Sequence, residues 1–288
     1  MRLLILGSNG LLGNTIAKYF LNKPNYITFA AVRNNTKISS INRNYLENVV
    51  IIKDVLDTLE LEKKIKVLKP NVIINCTGIN NKKKYNNLAE KYITINSLFP
   101  HKLSEICFLN DVRLIQFSSD CVFSGKKGFY NESDNPDPID LYGRSKLLGE
   151  VKHSNTITIR KSAIGHELCS RFGLLEWFLN QEKNVKGYKN VIFSGLTVLE
   201  LAKIIDTHII PRNELNGIFH IAGEPISKLD LLKIIAYEYK KTINIIPDAL
   251  KNIDRSLNGS YFNKLTGYKS KKWPLLIKDM YEFNLQNK

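Results

Sequence analysis

Six short apolar runs recur along the first half of the chain: Arg2–Leu6, Tyr26–Val32, Val49–Ile52, Val72–Asn75, Val112–Phe117 and Thr156–Arg160. Between them lie longer stretches whose apolar positions return every three or four residues. These include the segment with Leu12, Ile16, Tyr19 and Phe20 on one face, then Leu59–Leu68 and Leu88–Leu109. Short continuous runs read as buried strands, and the 3.6-residue period reads as amphipathic helix. Their alternation predicts an α/β chain built on a doubly wound parallel sheet. Such sheets bind ligands at the C-terminal ends of their strands. Gly7, Arg33, Asp54 with Val55, Cys76-Thr77-Gly78 and Ser119 all fall at those ends.

Past residue 162 the pattern loses its regularity. Leu174–Leu179 and Val198–His208 read as helices, Gly217–Ile221 as a late strand, and Ile243–Pro247 as a further short strand. Ser227-Lys-Leu-Asp230 reads as a capping box opening a helix that runs through Tyr239. The expected division is a nucleotide-binding domain of residues 1–162 plus about 191–223, and a smaller substrate lobe of about 163–190 and 224–288. No internal repeat or low-complexity linker interrupts it.

The first strand runs directly into Gly7-Ser8-Asn9-Gly10-Leu11-Leu12-Gly13 and then into a helix. In a strand–turn–helix of this kind Gly7 makes the tight turn, Gly10 lets a pyrophosphate approach the backbone, and Gly13 allows close helix packing. The helix N-terminus adds free N–H donors and a positive dipole. The implied ligand is a dinucleotide and the implied fold of Rossmann type. The second strand ends in Arg33, where a carboxylate would favour ribose hydroxyls. An arginine suits a 2′-phosphate, so NADPH is the expected cofactor and NADH the alternative; a solvated strand-end arginine is the competing account.

Composition narrows the rest. At 288 residues and 43% hydrophobic content the chain can bury a full core. No apolar stretch reaches membrane-spanning length, and Met1-Arg-Leu-Leu-Ile-Leu-Gly enters the first strand rather than a cleavable signal, so a cytoplasmic protein without a membrane partner is expected. Cys76, Cys107, Cys121 and Cys169 lack metal-ligand spacing; reduced thiols and no metal are expected. The formal net charge of +15 raises nucleic acid as a partner. Lys82-Lys83-Lys84 and the Lys269–Lys272 cluster are short and separated, without aromatic interleaving, so that partner is set aside. A positive field still attracts phosphorylated ligands.

Tyr142-Gly-Arg-Ser-Lys146 carries the candidate chemistry. Residues four apart share a helix face, so a phenol and an ammonium reach one small volume. A neighbouring positive charge favours phenolate and is expected to draw the Tyr142 pKa down. Ser119, just past the fifth apolar run, supplies a hydroxyl for a carbonyl oxygen; Asp120 beside it either assists protonation or caps a turn.

The Gly-x-x-Gly-x-x-Gly loop together with Tyr142-x-x-x-Lys146 resembles the extended short-chain dehydrogenase/reductase superfamily. Phe117-Ser-Ser-Asp-Cys-Val-Phe-Ser-Gly125 and Leu141-Tyr-Gly-Arg-Ser-Lys-Leu-Leu-Gly-Glu150 more closely resemble dTDP-4-dehydrorhamnose reductase and its relatives, over nearly the whole chain. That family's pattern reads Ser-Thr-Asp-Tyr-Val-Phe-x-Gly, then Tyr-Gly-x-(Ser/Thr)-Lys-x-x-Gly-Glu. The resemblance implies that Tyr142 is the acid and that Lys146 binds the nicotinamide ribose. It sets Ser119 in the place of the catalytic threonine and Asp120 in that of the neighbouring aspartate. Cys121 departs from the pattern, standing where the rhamnose enzymes carry a tyrosine near the sugar.

Cys121–Gly128, Ile164-Gly-His-Glu167 and Asp254-Arg-Ser-Leu-Asn258 resemble a subgroup acting on other nucleotide-linked 4-keto-6-deoxy sugars. These include UDP-linked 2-acetamido-2,6-dideoxy-L-hexoses. The resemblance thus implies NADPH-dependent reduction of a C4 ketone, in such a sugar or in dTDP-4-dehydro-L-rhamnose. Cys121, Phe123, His166, Trp177, Arg255 and Asn258 are the candidate substrate contacts. Structural readings compete for His166, Trp177 and Arg255, while His101 and Trp273 are assigned to structure or surface. A dehydratase or epimerase supplying the keto sugar is the implied pathway partner, and a homodimer is left open. The rivals are an epimerase or dehydratase of the same superfamily, weakened because Cys121 replaces a dehydratase glutamate, and a non-catalytic NADP-binding protein.

Overall fold

The computed structural model describes residues 1–34, 43–80, 88–168 and 172–287. Lys82, Lys83, Lys84 and Cys169, singled out above, lie outside the described residues.

The N-terminal half alternates strand and helix. It runs β1 (Arg2–Leu6), α1 (Leu11–Leu21), β2 (Ile27–Val32), β3 (Val49–Ile51), α2 (Thr58–Leu68), β4 (Val72–Asn75), α3 (Leu88–Lys91), α4 (Phe99–Leu109), β5 (Arg113–Phe117), α5 (Leu141–Leu148) and β6 (Thr156–Arg160). The predicted single helix over 88–109 is continuous but changes character, with a π-helical stretch Tyr92–Leu98 joining α3 to α4. Pro100 accounts for the change, because it has no N–H to give to the Asn96 carbonyl one turn back.

The C-terminal half continues with β7 (Ala163–Ile164), α6 (Leu174–Leu179), β8 (Val185–Phe193), β9 (Leu196–Thr197), α7 (Val198–Ile204), β10 (Gly217–His220), β11 (Ile226–Ser227), α8 (Lys228–Glu238), β12 (Ile245–Asp254), α9 (Ser260–Thr266) and α10 (Trp273–Gln286). The capping box forms as the residue types require: Ser227 accepts from the Asp230 N–H at 3.0 Å. The charged stretch Val185–Phe193 gave no periodic signal, yet it forms β8 and pairs in parallel with β12, which extends well past Pro247.

The main sheet is seven-stranded and wholly parallel, in the order β10-β6-β5-β4-β1-β2-β3. Its order reverses between β1 and β4, the switch point where such sheets open a crevice at their carboxyl ends. Both faces are covered, so its strands read as continuous apolar runs rather than alternating ones. One core gathers Leu3, Ile5, Phe20 and Ile74 with Leu199, Leu232 and Ile277 from α7, α8 and α10; the other gathers Leu4, Leu6, Ile73 and Leu114 with Leu61 and Phe99 from α2 and α4. Each such side chain contributes about 1.5–3 kcal/mol by leaving water. A three-stranded sheet, β11-β8-β12, stands beside the crevice. Among the described residues no helix is long and apolar enough to cross a membrane.

Candidate active site

The crevice is a cleft of about 650 Å³, within the size range of small-molecule and cofactor sites. One wall is the glycine loop. Gly7 has φ +75°, and a Cβ on Gly13 would sit 2.2 Å from the Gly7 carbonyl oxygen, so α1 can press onto the turn only without a side chain there. Gly10 stands at the N-terminus of α1, and Asn9, Gly10, Leu11 and Leu12 line the cleft. The Asn9 side-chain oxygen is buried with no hydrogen-bond partner, an acceptor waiting for a donor. The N-terminus of α1 at Gly10 fits a dinucleotide phosphate, while the Asn9 oxygen suits an O–H or N–H donor of the same ligand.

The floor is the loop after β4. Asn75 donates to Gln116 at 2.7 Å and accepts from the backbone and hydroxyl of Thr77 at 3.1 and 2.6 Å, which fixes Cys76-Thr77-Gly78 along the cleft. Asn96 pins the next residue: its amide exchanges two 2.9 Å bonds with the Ile79 backbone and donates to Ser145 at 3.1 Å.

The opposite wall carries the chemistry. Ser119 caps a 3₁₀ turn, Asp120–Val122, accepting from the Cys121 N–H at 3.1 Å and donating to the Asp120 carboxylate at 3.1 Å. Asp140 caps α5 by accepting from the Gly143 N–H at 2.7 Å. Tyr142, Lys146, Ser119, Asp120 and Cys121 all line the same cleft. Behind them Glu150 holds Arg160 through two bonds of 2.8 and 2.7 Å and accepts from Ser118 at 2.7 Å, tying α5 to β5 and β6.

Lys146 is buried and donates to the Phe117 carbonyl at 2.6 Å. Burial lowers its pKa to about 7, with the Lys161 charge acting in the same direction and Glu150 against it. Tyr142 corrects the expectation from sequence. Its pKa is raised, first by burial and then by Cys121, while its hydrogen bond with Ser119 opposes the rise. A lysine four residues away does not overcome the loss of water around the phenol. Tyr142 is therefore a protonated acid at neutral pH. The Cys121 thiol is pushed up to about 12 by burial and then Asp120, with Arg255 opposing.

A family model described as the RmlD substrate binding domain matches residues 1–255. The chain belongs to this family. Among curated relatives it is 26% identical over 234 residues to a dTDP-4-dehydrorhamnose reductase of Aggregatibacter actinomycetemcomitans, an alignment covering 78% of this chain and 74% of that protein. Among solved structures, a hypothetical dTDP-4-dehydrorhamnose reductase from Sulfolobus tokodaii is 26% identical with a TM-score of 0.75, covering 95% of this chain and 98% of that one. A dTDP-4-dehydrorhamnose reductase from Bacillus anthracis, solved with NADP, shares the fold at 18% identity and a TM-score of 0.79, covering 98% of each chain.

Not every candidate residue of this RmlD-family chain reaches the cleft. Arg255 lines it, but four other substrate candidates do not. Phe123 is fully buried and stacks on Tyr130 with ring centres 4.1 Å apart. His166 is clamped between Glu176 at 2.7 Å and the Tyr239 hydroxyl at 2.8 Å, a structural histidine joining α6 to α8. Trp177 lies 39% exposed on α6, outside the cleft lining. Asn258 donates to Asn131 at 2.8 Å and caps the turn into α9 through the Ser260 N–H at 3.0 Å. On the cofactor side, Ser8 points inward and donates to the Ile5 carbonyl at 2.9 Å. Gly7 and Gly13 shape the loop from behind; Arg33, Asp54 and Val55 lie at the ends of β2 and β3 beyond the cleft lining. Asp54 holds its own turn through the Leu56 N–H at 3.0 Å.

Glu167, beside His166 in the Ile164–Glu167 motif, does line the cleft, whereas Asn96, Lys161 and Lys228, which line it too, were missed in the sequence. Lys161 follows β6 directly, at the carboxyl end of a strand, which was the available signal.

Proposed function

We propose that this protein reduces the C4 ketone of a nucleotide-linked 4-keto-6-deoxyhexose. The coarse reading is a reductase of the dTDP-4-dehydrorhamnose reductase type. One observation carries it: Tyr142, Ser119 and Lys146 share one cleft with the phosphate-cradling loop Asn9–Leu12. Those loop residues, with Cys76-Thr77-Gly78 and Lys146, would hold a nicotinamide dinucleotide, and Arg33 favours NADPH over NADH. Bound there, the reduced cofactor supplies hydride.

The chain's own residues manage the oxygen. As the carbonyl carbon takes the hydride, its π electrons move to the oxygen, and Tyr142 gives that alkoxide its phenolic proton. Ser119 donates a hydrogen bond to the same oxygen, turning its proton from Asp120 toward the substrate. Lys146 compensates the phenolate left behind, and its pKa of about 7 lets it be charged when that negative charge appears. Cys121 bears no carboxyl group to pull a proton during elimination, and its thiol is held neutral, which favours a reductase over a dehydratase.

Two substrates are the finer readings: a UDP-2-acetamido-2,6-dideoxy-L-hexos-4-ulose, giving a product of UDP-L-rhamnosamine type, or dTDP-4-dehydro-L-rhamnose. Either ketone would come from an upstream dehydratase or epimerase. The free thiols Cys76, Cys107 and Cys121 fit a reducing cytoplasm. NADPH oxidation, followed in stoichiometry with each ketone, tests the proposal. Absence of net NADPH consumption with both would sink it, and cofactor retained and recycled would point to an epimerase instead.

A further inference from the structure

The cleft carries more positive charge than ketone reduction uses. Lys146, Lys161, Lys228 and Arg255 line it against two carboxylates, Asp120 and Glu167. Both carboxylates are engaged: Asp120 accepts from Ser119, and Glu167 from the backbone N–H groups of Phe172 and Gly173 at 3.1 and 2.7 Å. Lys146 already has the Phe117 carbonyl, and Lys228 covers the Phe193 ring at 3.7 Å.

The other two cations converge on Cys121. Arg255 brings Nη1 to 3.5 Å from the Cys121 sulfur, and its Nε is buried with no hydrogen-bond partner. The Lys161 ammonium stands 5.8 Å from the centre of the Phe117 ring; burial lowers its pKa, with Asp120, Cys76 and Cys121 acting against that. Among the described residues no carbonyl or carboxylate accepts a hydrogen bond from it. A thiol is a weak acceptor and, while protonated, no counter-charge. A buried guanidinium N–H without an acceptor is costly, so the acceptor for the Arg255 Nε belongs to a ligand, and Lys161, half-buried in the same cleft, can share it.

We propose that Lys161 and Arg255 form a cationic subsite around Cys121, at the reacting end of the cleft, which takes an sp² oxygen borne by the sugar ring: an amide carbonyl or a carboxylate. The short Cys121 side chain leaves room for it between the two cations. Such oxygens accept charge-assisted hydrogen bonds, which a sugar hydroxyl answers more weakly. The inference rests on the nucleotide-sugar reading above, but its test needs no hydride transfer.

Calorimetric titration of the full chain in the presence of NADP uses three probes. UDP-glucose carries hydroxyls alone, UDP-N-acetylglucosamine an amide, and UDP-glucuronic acid a carboxylate. One acceptor-bearing sugar is expected to bind about ten-fold or more tightly than UDP-glucose, the gain of one charge-assisted hydrogen bond. That ratio is expected to fall to within about two-fold in Lys161→Met and in Arg255→Met. Unchanged NADP affinity in both variants separates loss of the subsite from loss of the fold. Equal affinity for the three sugars, binding of none of them, or a preference that survives both substitutions overturns the proposal. A protein that shows the preference yet oxidises no NADPH on any 4-keto sugar keeps the subsite and loses the reductase reading.

Discussion

Gly143 packs against the carbonyl of Cys121 so closely that a Cβ at this position would lie 2.2 Å from the oxygen. The contact sets how deeply α5 enters the cleft and therefore how far Tyr142 reaches toward Ser119. Gly143→Ala must push the helix or the 3₁₀ turn away. Misplacement on the order of an ångström costs about a hundred-fold in rate. A kcat reduced to that extent, with NADPH affinity changed far less, is the expected result from steady-state kinetics and fluorescence titration. An unchanged kcat would show that α5 does not set the position of the phenol.

On the proposed mechanism, Tyr142→Phe removes the proton donor and little else, because the ring remains in its wall. Acid catalysis of this kind contributes about 10²- to 10⁴-fold, and kcat is expected to fall by that factor with NADPH affinity preserved. Since burial holds the phenol protonated, the wild-type rate should show no decline from Tyr142 ionisation through the neutral range. Retention of more than a small fraction of turnover in the variant would remove Tyr142 from the mechanism.

Lys146 makes a stability prediction with a definite sign. Its pKa in the folded chain is lowered to about 7, mainly by burial, whereas an unfolded lysine titrates near about 10.4. Between those values the unfolded chain binds a proton that the folded chain does not. The contribution of this group is thus full above the unfolded value and is lost as pH falls through the folded one. Urea unfolding of wild type and Lys146→Met at pH 7, 8 and 9 should find wild type gaining on the variant as pH rises, by at most about 1.4 kcal/mol per unit. A difference that is flat or falls with pH would mean that Lys146 keeps its proton when buried.

The strands, the glycine turn and α1 were legible because each rests on local signals: continuous apolar runs, a helical period and residues with special backbone freedom. The Tyr142–Lys146 spacing was legible for the same reason. Its electrostatics were not, since the Tyr142 pKa depends on burial supplied by elements far away in sequence. His166 illustrates the limit from the other side: its partners, Glu176 on α6 and Tyr239 at the end of α8, are brought together only in the folded chain. β8 stayed hidden because Lys186, Lys189 and Asn190 break any apolar run, and pairing with β12 outweighs that weak local preference.

The Glu150–Arg160 pair predicts a cost in folding rather than in chemistry. Both side chains are 4% exposed and joined by two short bonds. Removing one partner strands a charge in the interior, which costs about 3–5 kcal/mol. Glu150→Gln keeps the shape but not the charge, and its urea midpoint should fall accordingly. A midpoint within error of wild type would mean that His220, 3.3 Å from Arg160, or water replaces the carboxylate.

On the proposed reading, Arg33 selects between the two dinucleotides. It is exposed just past β2, as is Asn34. A guanidinium there gains charge-assisted hydrogen bonds with a 2′-phosphate that a ribose hydroxyl cannot match. Arg33→Asp reverses the charge, so the ratio of kcat/KM for NADPH over NADH is expected to fall by about ten-fold or more, each ten-fold being about 1.4 kcal/mol. KM for NADPH should carry most of the change, because the 2′-phosphate contributes to binding and takes no part in hydride transfer. An unaltered ratio would make Arg33 a solvated strand-end residue with no part in the choice of cofactor.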